Sequence, residues 1–135
     1  MKRFAAFLVI CGAAILVATA AFHASGYEFV ASEIEASSVA PFVKRAVPTI
    51  WLFFSWHLVA IASGAVGALL AVRHAAKPIL IACSVVTAVD FIWVYSIAGF
   101  FVGTLLLLLG SLCFLSGGWL LPGAATRAGT LPPTT

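Results

Sequence analysis

Charge is scarce in this chain. Asp, Glu, Lys and Arg together make up 8% of its 135 residues, where an ordinary soluble domain carries roughly 25%. That scarcity excludes a self-contained soluble fold, because the 64% of residues that are hydrophobic expose more apolar surface than so short a chain can hide from water. A bilayer resolves the conflict, since its hydrocarbon core is itself the apolar solvent. Cysteine is also sparse. Cys11, Cys83 and Cys113 are odd in number, each sits inside an apolar run, and there is no CxxC. This argues against a disulfide framework or a thiolate metal site and for buried free thiols that behave as small hydrophobes. The basic residues are Lys2, Arg3, Lys44, Arg45, Arg73, Lys77 and Arg127. They punctuate the apolar runs and form no patch that could track phosphates, so no nucleic-acid partner is expected. Catalytic signatures are missing as well: there is no GxSxG, P-loop or HExxH, which points away from an enzyme.

What is present is a succession of long apolar runs. The first covers residues 4–23 behind Lys2 and Arg3. A basic start and the stretch Ala18-Thr19-Ala20 fit a signal peptide, but the run is about 19 residues long, enough to span, and is read as a retained helix. Gly26 breaks the pattern. The segment from Tyr27 to Pro41 is the most polar of the chain, with Glu28, Glu33 and Glu35. Phe29, Val30 and Ile34 recur in it at helical spacing, which fits either a short amphipathic helix lying on the membrane surface or a loop. The second span is expected at 47–72, with Pro48 in its first turn. It ends at the basic turn that holds His74. From Ile79 to Leu121 the only charged residue is Asp90. That stretch is about twice the length of a span, so it divides into 79–96 and 100–121.

The expected fold class is therefore an all-α integral membrane protein, an antiparallel four-helix transmembrane bundle formed by residues 1–121, with a flexible tail over 122–135. In length and span count alone it resembles many small four-span bacterial inner-membrane proteins, and no motif names a family. With the N-terminus inside, Lys2, Arg3, Arg73, Lys77 and Arg127 face the cytoplasm, against Lys44 and Arg45 on the other side. The positive-inside rule then places both termini in the cytoplasm of an inner-membrane protein.

Small residues mark packing faces in lipid. They are Ala5, Gly12 and Thr19 in the first span, continuing to His23, and Ala60, Gly64, Gly67, Ala68 and Ala71 in the second. The fourth has Gly99, Gly103, Gly110, Cys113 and Gly117, while the third is polar, with Cys83, Thr87 and Asp90. On this reading Leu58 lies opposite Gly64, toward lipid.

Two ionisable residues fall deep in the spans, His57 and Asp90. Such residues are costly in hydrocarbon unless paired, protonated or wetted, so they carry a functional hypothesis by default. By helical rise they lie at similar depths on neighbouring helices. They fit a binding site or proton relay, or else a structural pair, with Thr87 or Ser55 as further partners. His23 is at the outer end of the first span, and its expected depth differs from that of His57 by roughly 15 Å. That mismatch counts against a shared metal or haem, and no metal or cofactor is expected. The aromatic residues Trp51, Phe53, Phe54, Trp56, Phe91, Trp93 and Tyr95 form either an interfacial belt or a pocket for a flat ligand.

Three functions fit this pattern. The leading one is a non-enzymatic helical bundle, working as a homo-oligomer or as an accessory subunit of a larger membrane protein. The others are a small transporter or proton-coupled carrier using His57 and Asp90, and a cofactor-binding redox subunit.

Overall fold

The computed structural model describes residues 2–71 and 75–121. The expected tail over 122–135, Arg73 and His74 lie outside the described residues. Among the described residues every regular element is helical: α1 (Lys2–Ser25), α2 (Tyr27–Ala36), α3 (Pro41–Leu70), α4 (Ala76–Ala98) and α5 (Val102–Leu120). Four helical segments are long and apolar enough to cross a membrane, the first running through α1 and α2 together.

The helix boundaries have local causes. Pro41 occupies the start of α3, where its missing N–H costs nothing. Pro48 therefore lies in the helix interior and not in the first turn as the apolar run suggested. There it denies the Lys44 carbonyl its usual donor. Gly99 closes α4 with a φ of +73°, a left-handed conformation that favours glycine. Thr104 then starts α5. Its hydroxyl accepts the Phe101 N–H at 3.0 Å and donates to the Phe101 carbonyl at 2.7 Å, satisfying groups that a helix end leaves open.

The long helices form a ring in which α1 touches α3 and α5, and α4 touches α5 and, less extensively, α3. Neighbours run in opposite senses. Along α1 and α5, Gly117 meets Val9, Gly12 meets Phe114, and Gly110 meets Leu16. Along α4 and α5, Gly118 meets Leu80 and Ser84 meets Ser111. The core between them holds Val9, Leu16, Leu58, Leu80, Leu107 and Phe114, all essentially inaccessible.

The α1–α3 register carries on into α2. His23 meets Ser55, Gly26 meets Trp51, and Glu35 meets Lys44 in a 3.7 Å ion pair. The polar segment is thus a helix, but it does not lie across the end of the helices as a surface helix would. It runs alongside the first turns of α3, extending the same hairpin. The physical reason is length. At 30 residues, α3 measures about 45 Å, some 15 Å more than a hydrocarbon core, and its surplus turns carry Lys44 and Arg45 opposite the glutamates of α2.

The small-residue faces divide into two groups. Those of α1 and α5 are tight: a Cβ on Gly117 would sit 2.6 Å from Val9 Cγ2, and one on Gly12 would sit 2.9 Å from Cys113 Cβ. The α3 stripe is different. Ala60, Gly64 and Ala71 are exposed, and a Cβ on Gly64 or Gly67 would meet nothing within 4 Å. Leu58 is fully buried instead, with Ser55, Ile61, Ala62, Ala65 and Ala68. The expected faces of this helix are therefore reversed, apart from Ala68. Leu58 fills the centre of the ring, while a Cβ added at Gly64 or Gly67 would meet nothing else in the fold.

A stability comparison follows directly. Gly117→Leu should cost about 1–3 kcal/mol through overpacking against Val9 and the Ala5 carbonyl. Gly64→Leu should stay within about 0.5 kcal/mol in the isolated protein. Unfolding of the two variants in detergent measures both, and equal losses would contradict the packing described.

Candidate functional site

The helix registers bring His57 of α3 and Asp90 of α4 together. The Nε2–H of His57 donates to Asp90 Oδ2 at 3.1 Å. The pair is not sealed in the core: the side chains keep 32% and 16% of their surface accessible. His57 sits on the flank of α3, between buried Leu58 and Ile61 and exposed Phe53 and Ala60. The site therefore opens sideways, along the looser α3–α4 seam. Among the described residues Oδ1 of Asp90 has no hydrogen-bond partner, and no buried side-chain N or O atom is left unpaired, so that oxygen is one the surroundings can reach.

The residues expected to support the pair have other duties. Thr87 is fully buried, and its hydroxyl donates to the carbonyl of Cys83 one turn back, at 2.8 Å. Ser55 is held by His23 through a 3.0 Å hydrogen bond between Oγ and Nδ1. Each hydroxyl takes the nearest acceptor available in a medium without water, as buried polar groups must.

His23 lies deeper than its sequence position implied. Its ring stacks on Trp51 at 4.0 Å and 15°, while its carbonyl accepts the Trp51 Nε1–H at 2.7 Å. Because α3 starts early and projects, Ser55 is level with His23, and the expected depth mismatch with His57 disappears. The two imidazoles flank one phenyl ring, Phe54, at 5.1 Å and 6.2 Å between centroids. Phe54 occupies the space between them. No group of three or more His, Cys, Asp or Glu side chains that could hold a metal ion is found among the described residues.

The aromatic group is split by the fold. Trp51 and Phe54 turn inward onto His23, whereas Phe53, Trp56 and Trp93 face outward. Trp119, at the opposite end, is exposed with the Lys77 ammonium 5.4 Å from its ring, a contact suited to a membrane interface.

One polar contact had no signature in the sequence. Ser84 and Ser111 clasp α4 to α5: each hydroxyl reaches the other's carbonyl, at 2.9 and 3.0 Å, and the two oxygens are 3.1 Å apart. Both are isolated serines in apolar runs. Only the register between the helices, which a single strand of letters does not contain, brings them together.

Comparison with protein-family models, with curated proteins and with solved structures finds no match. The site must be read from its own chemistry. It offers an imidazole and a carboxylate in contact, partly accessible, in a seam between two helices.

Coupling within the pair is measurable. His57→Ala and Asp90→Ala should each destabilise the protein in detergent, because each strands its partner. The double variant should lose less than the sum of the two by about 0.5–1 kcal/mol, the usual scale for polar pairs in membrane proteins. Strict additivity in the cycle would show that the hydrogen bond contributes nothing.

Proposed function

We propose that this chain is a non-enzymatic multi-pass protein of the inner membrane, an antiparallel four-helix transmembrane bundle that serves as an accessory subunit by binding another membrane helix sideways. The observation that carries the reading is the unpacked outer face of α3: Ala60, Gly64 and Ala71 are exposed beside the half-open His57–Asp90 pair. Small residues let backbones approach, and close approach drives helix association in lipid. On α1 and α5 such residues are already used inside the fold. On α3 they are free to receive a partner, a larger membrane protein or another copy.

The packing of Ala5, Val9 and Leu16 into the core supports retention of the first span. The distribution of Lys and Arg supports cytoplasmic termini. A reporter after Arg127 that is active only outside the cytoplasm would contradict that orientation.

A second reading rests on the His57–Asp90 contact itself. An imidazole in contact with a carboxylate is a pair through which a proton can be handed on, which suits a small proton-coupled carrier. Substrate-dependent proton movement in vesicles, lost on Asp90→Asn, would favour it over the accessory reading.

The accessory reading predicts a site-selective crosslink. A photo-crosslinking side chain at Gly64, activated in native membranes, should give one discrete protein adduct. The same group at lipid-facing Leu109 of α5 should give lipid adducts only. Lipid adducts alone at both sites would remove the basis for the proposal.

A further inference from the structure

The outer surface at the α3–α4 seam has a specific electrostatic character. Asp90 lies three residues from Thr87, the middle of the 23-residue α4, a displacement of roughly 4.5 Å along the axis. With α4 spanning the bilayer from end to end, its carboxylate would be near mid-depth, where an incompletely paired polar group is most costly. His57 meets Oδ2, and Oδ1 has no hydrogen-bond partner among the described residues and is not a buried atom. Water is scarce at that depth, and lipid tails offer no donor.

Among its described residues this chain has no basic side chain that a second copy could present at that depth. Among the described residues Lys2, Arg3, Lys44, Arg45 and Lys77 all lie near the starts of their helices. Copies inserted by the same rule share one orientation, so a neighbouring copy would present another His57–Asp90 pair at this depth and, among the described residues, no lysine or arginine. A carboxylate with only one oxygen partnered, beside an unpacked small-residue face, suits a cationic donor from a different chain.

We infer that the α3–α4 seam receives a transmembrane helix of a partner protein that carries a lysine or arginine near the bilayer midplane, and that Asp90 pairs with it. This deepens the accessory-subunit reading and rests on it. The partner helix lies over Gly64 and Ala60, close enough for its cationic side chain to reach Oδ1. His57 holds the opposite oxygen and so fixes the carboxylate toward the seam. Partner choice then depends on charge, since a helix lacking the cation leaves the carboxylate exposed to hydrocarbon, and specificity in such sites comes from what is left unpaired.

The test uses the full-length protein in phosphatidylcholine vesicles and synthetic single-span leucine-rich helices, with association read by fluorescence energy transfer. One probe carries a single lysine at its centre, one carries leucine there, and one carries the lysine near an end. The central-lysine probe should bind about tenfold more tightly than the other two, the range expected for one polar contact between membrane helices. Asp90→Asn should abolish the preference and Asp90→Glu should retain most of it. The Glu variant guards against a loss caused by misfolding, which thermal unfolding of both variants monitors. Equal binding of all three probes would overturn the inference. If that equal binding is still weakened by Gly64→Leu, the seam docks helices without using charge, and the accessory reading survives alone. Self-association that depends on Asp90 and excludes the lysine probe would also overturn it, by making a second copy the occupant.

Discussion

In a hydrocarbon solvent, burying apolar side chains gains almost nothing, so the fold depends on how closely backbones can approach and on the few polar groups that meet. The contact between α1 and α5 is where that constraint is most visible. Gly12, Gly110 and Gly117 let the two helices come so near that an added methyl group at Gly117 would overlap Val9. The clasp of Ser84 with Ser111 ties α4 to α5. His23, fixed by Trp51 and Ser55, ties α1 to α3. Three sides of the ring are thereby closed by close packing or by hydrogen bonds that have no competing water.

The fourth side is different in kind. Between α3 and α4 the main polar link is the His57–Asp90 hydrogen bond, supported by a long 3.9 Å contact from Cys83 Sγ to the Ile61 carbonyl. The ring is loosest at the place where it carries its most expensive side chains. An imidazole and a carboxylate used only to fix register would be better sealed, as the two serines are. The functional reading starts from that contrast: the pair is held firmly enough to be oriented and is open enough to be met from outside.

Much of this arrangement was legible in the letters. Four long apolar runs, the breaks at Gly26 and Gly99, and the similar depth of His57 and Asp90 follow from helical rise and hydropathy alone. The small-residue faces of α1 and α5 are legible too, since their spacing keeps them on one stripe, except that Gly99 caps α4 and packs on nothing. Two features misled. The apolar run beginning near Val47 conceals the start of α3 at Pro41, because the first turns carry Lys44 and Arg45 and pack against α2. His23 was placed too shallow as a result. The stripe from Ala60 to Ala71 was assigned to the interior, because small residues mark a packing face without saying whether the partner belongs to the same chain. Leu58, of the type that suits lipid equally well, proved to be the buried residue. The sequence pattern distinguishes surfaces in water, where inside and outside differ in polarity, far better than it does in lipid, where they do not.

Under the proposed function the His57–Asp90 seam opens onto hydrocarbon near the bilayer midplane and not onto water. A nitroxide label at Val89, the exposed neighbour of Asp90, tests it in a background where the three native cysteines are replaced. In phosphatidylcholine bilayers, power-saturation spectroscopy compares collision with oxygen, which concentrates in the hydrocarbon, and with a water-soluble nickel chelate. High oxygen accessibility, negligible chelate accessibility and a depth within a few ångströms of the midplane are expected. Strong collision with the chelate would contradict it, because the seam would then be a hydrated cavity and the exposed carboxylate would need no partner.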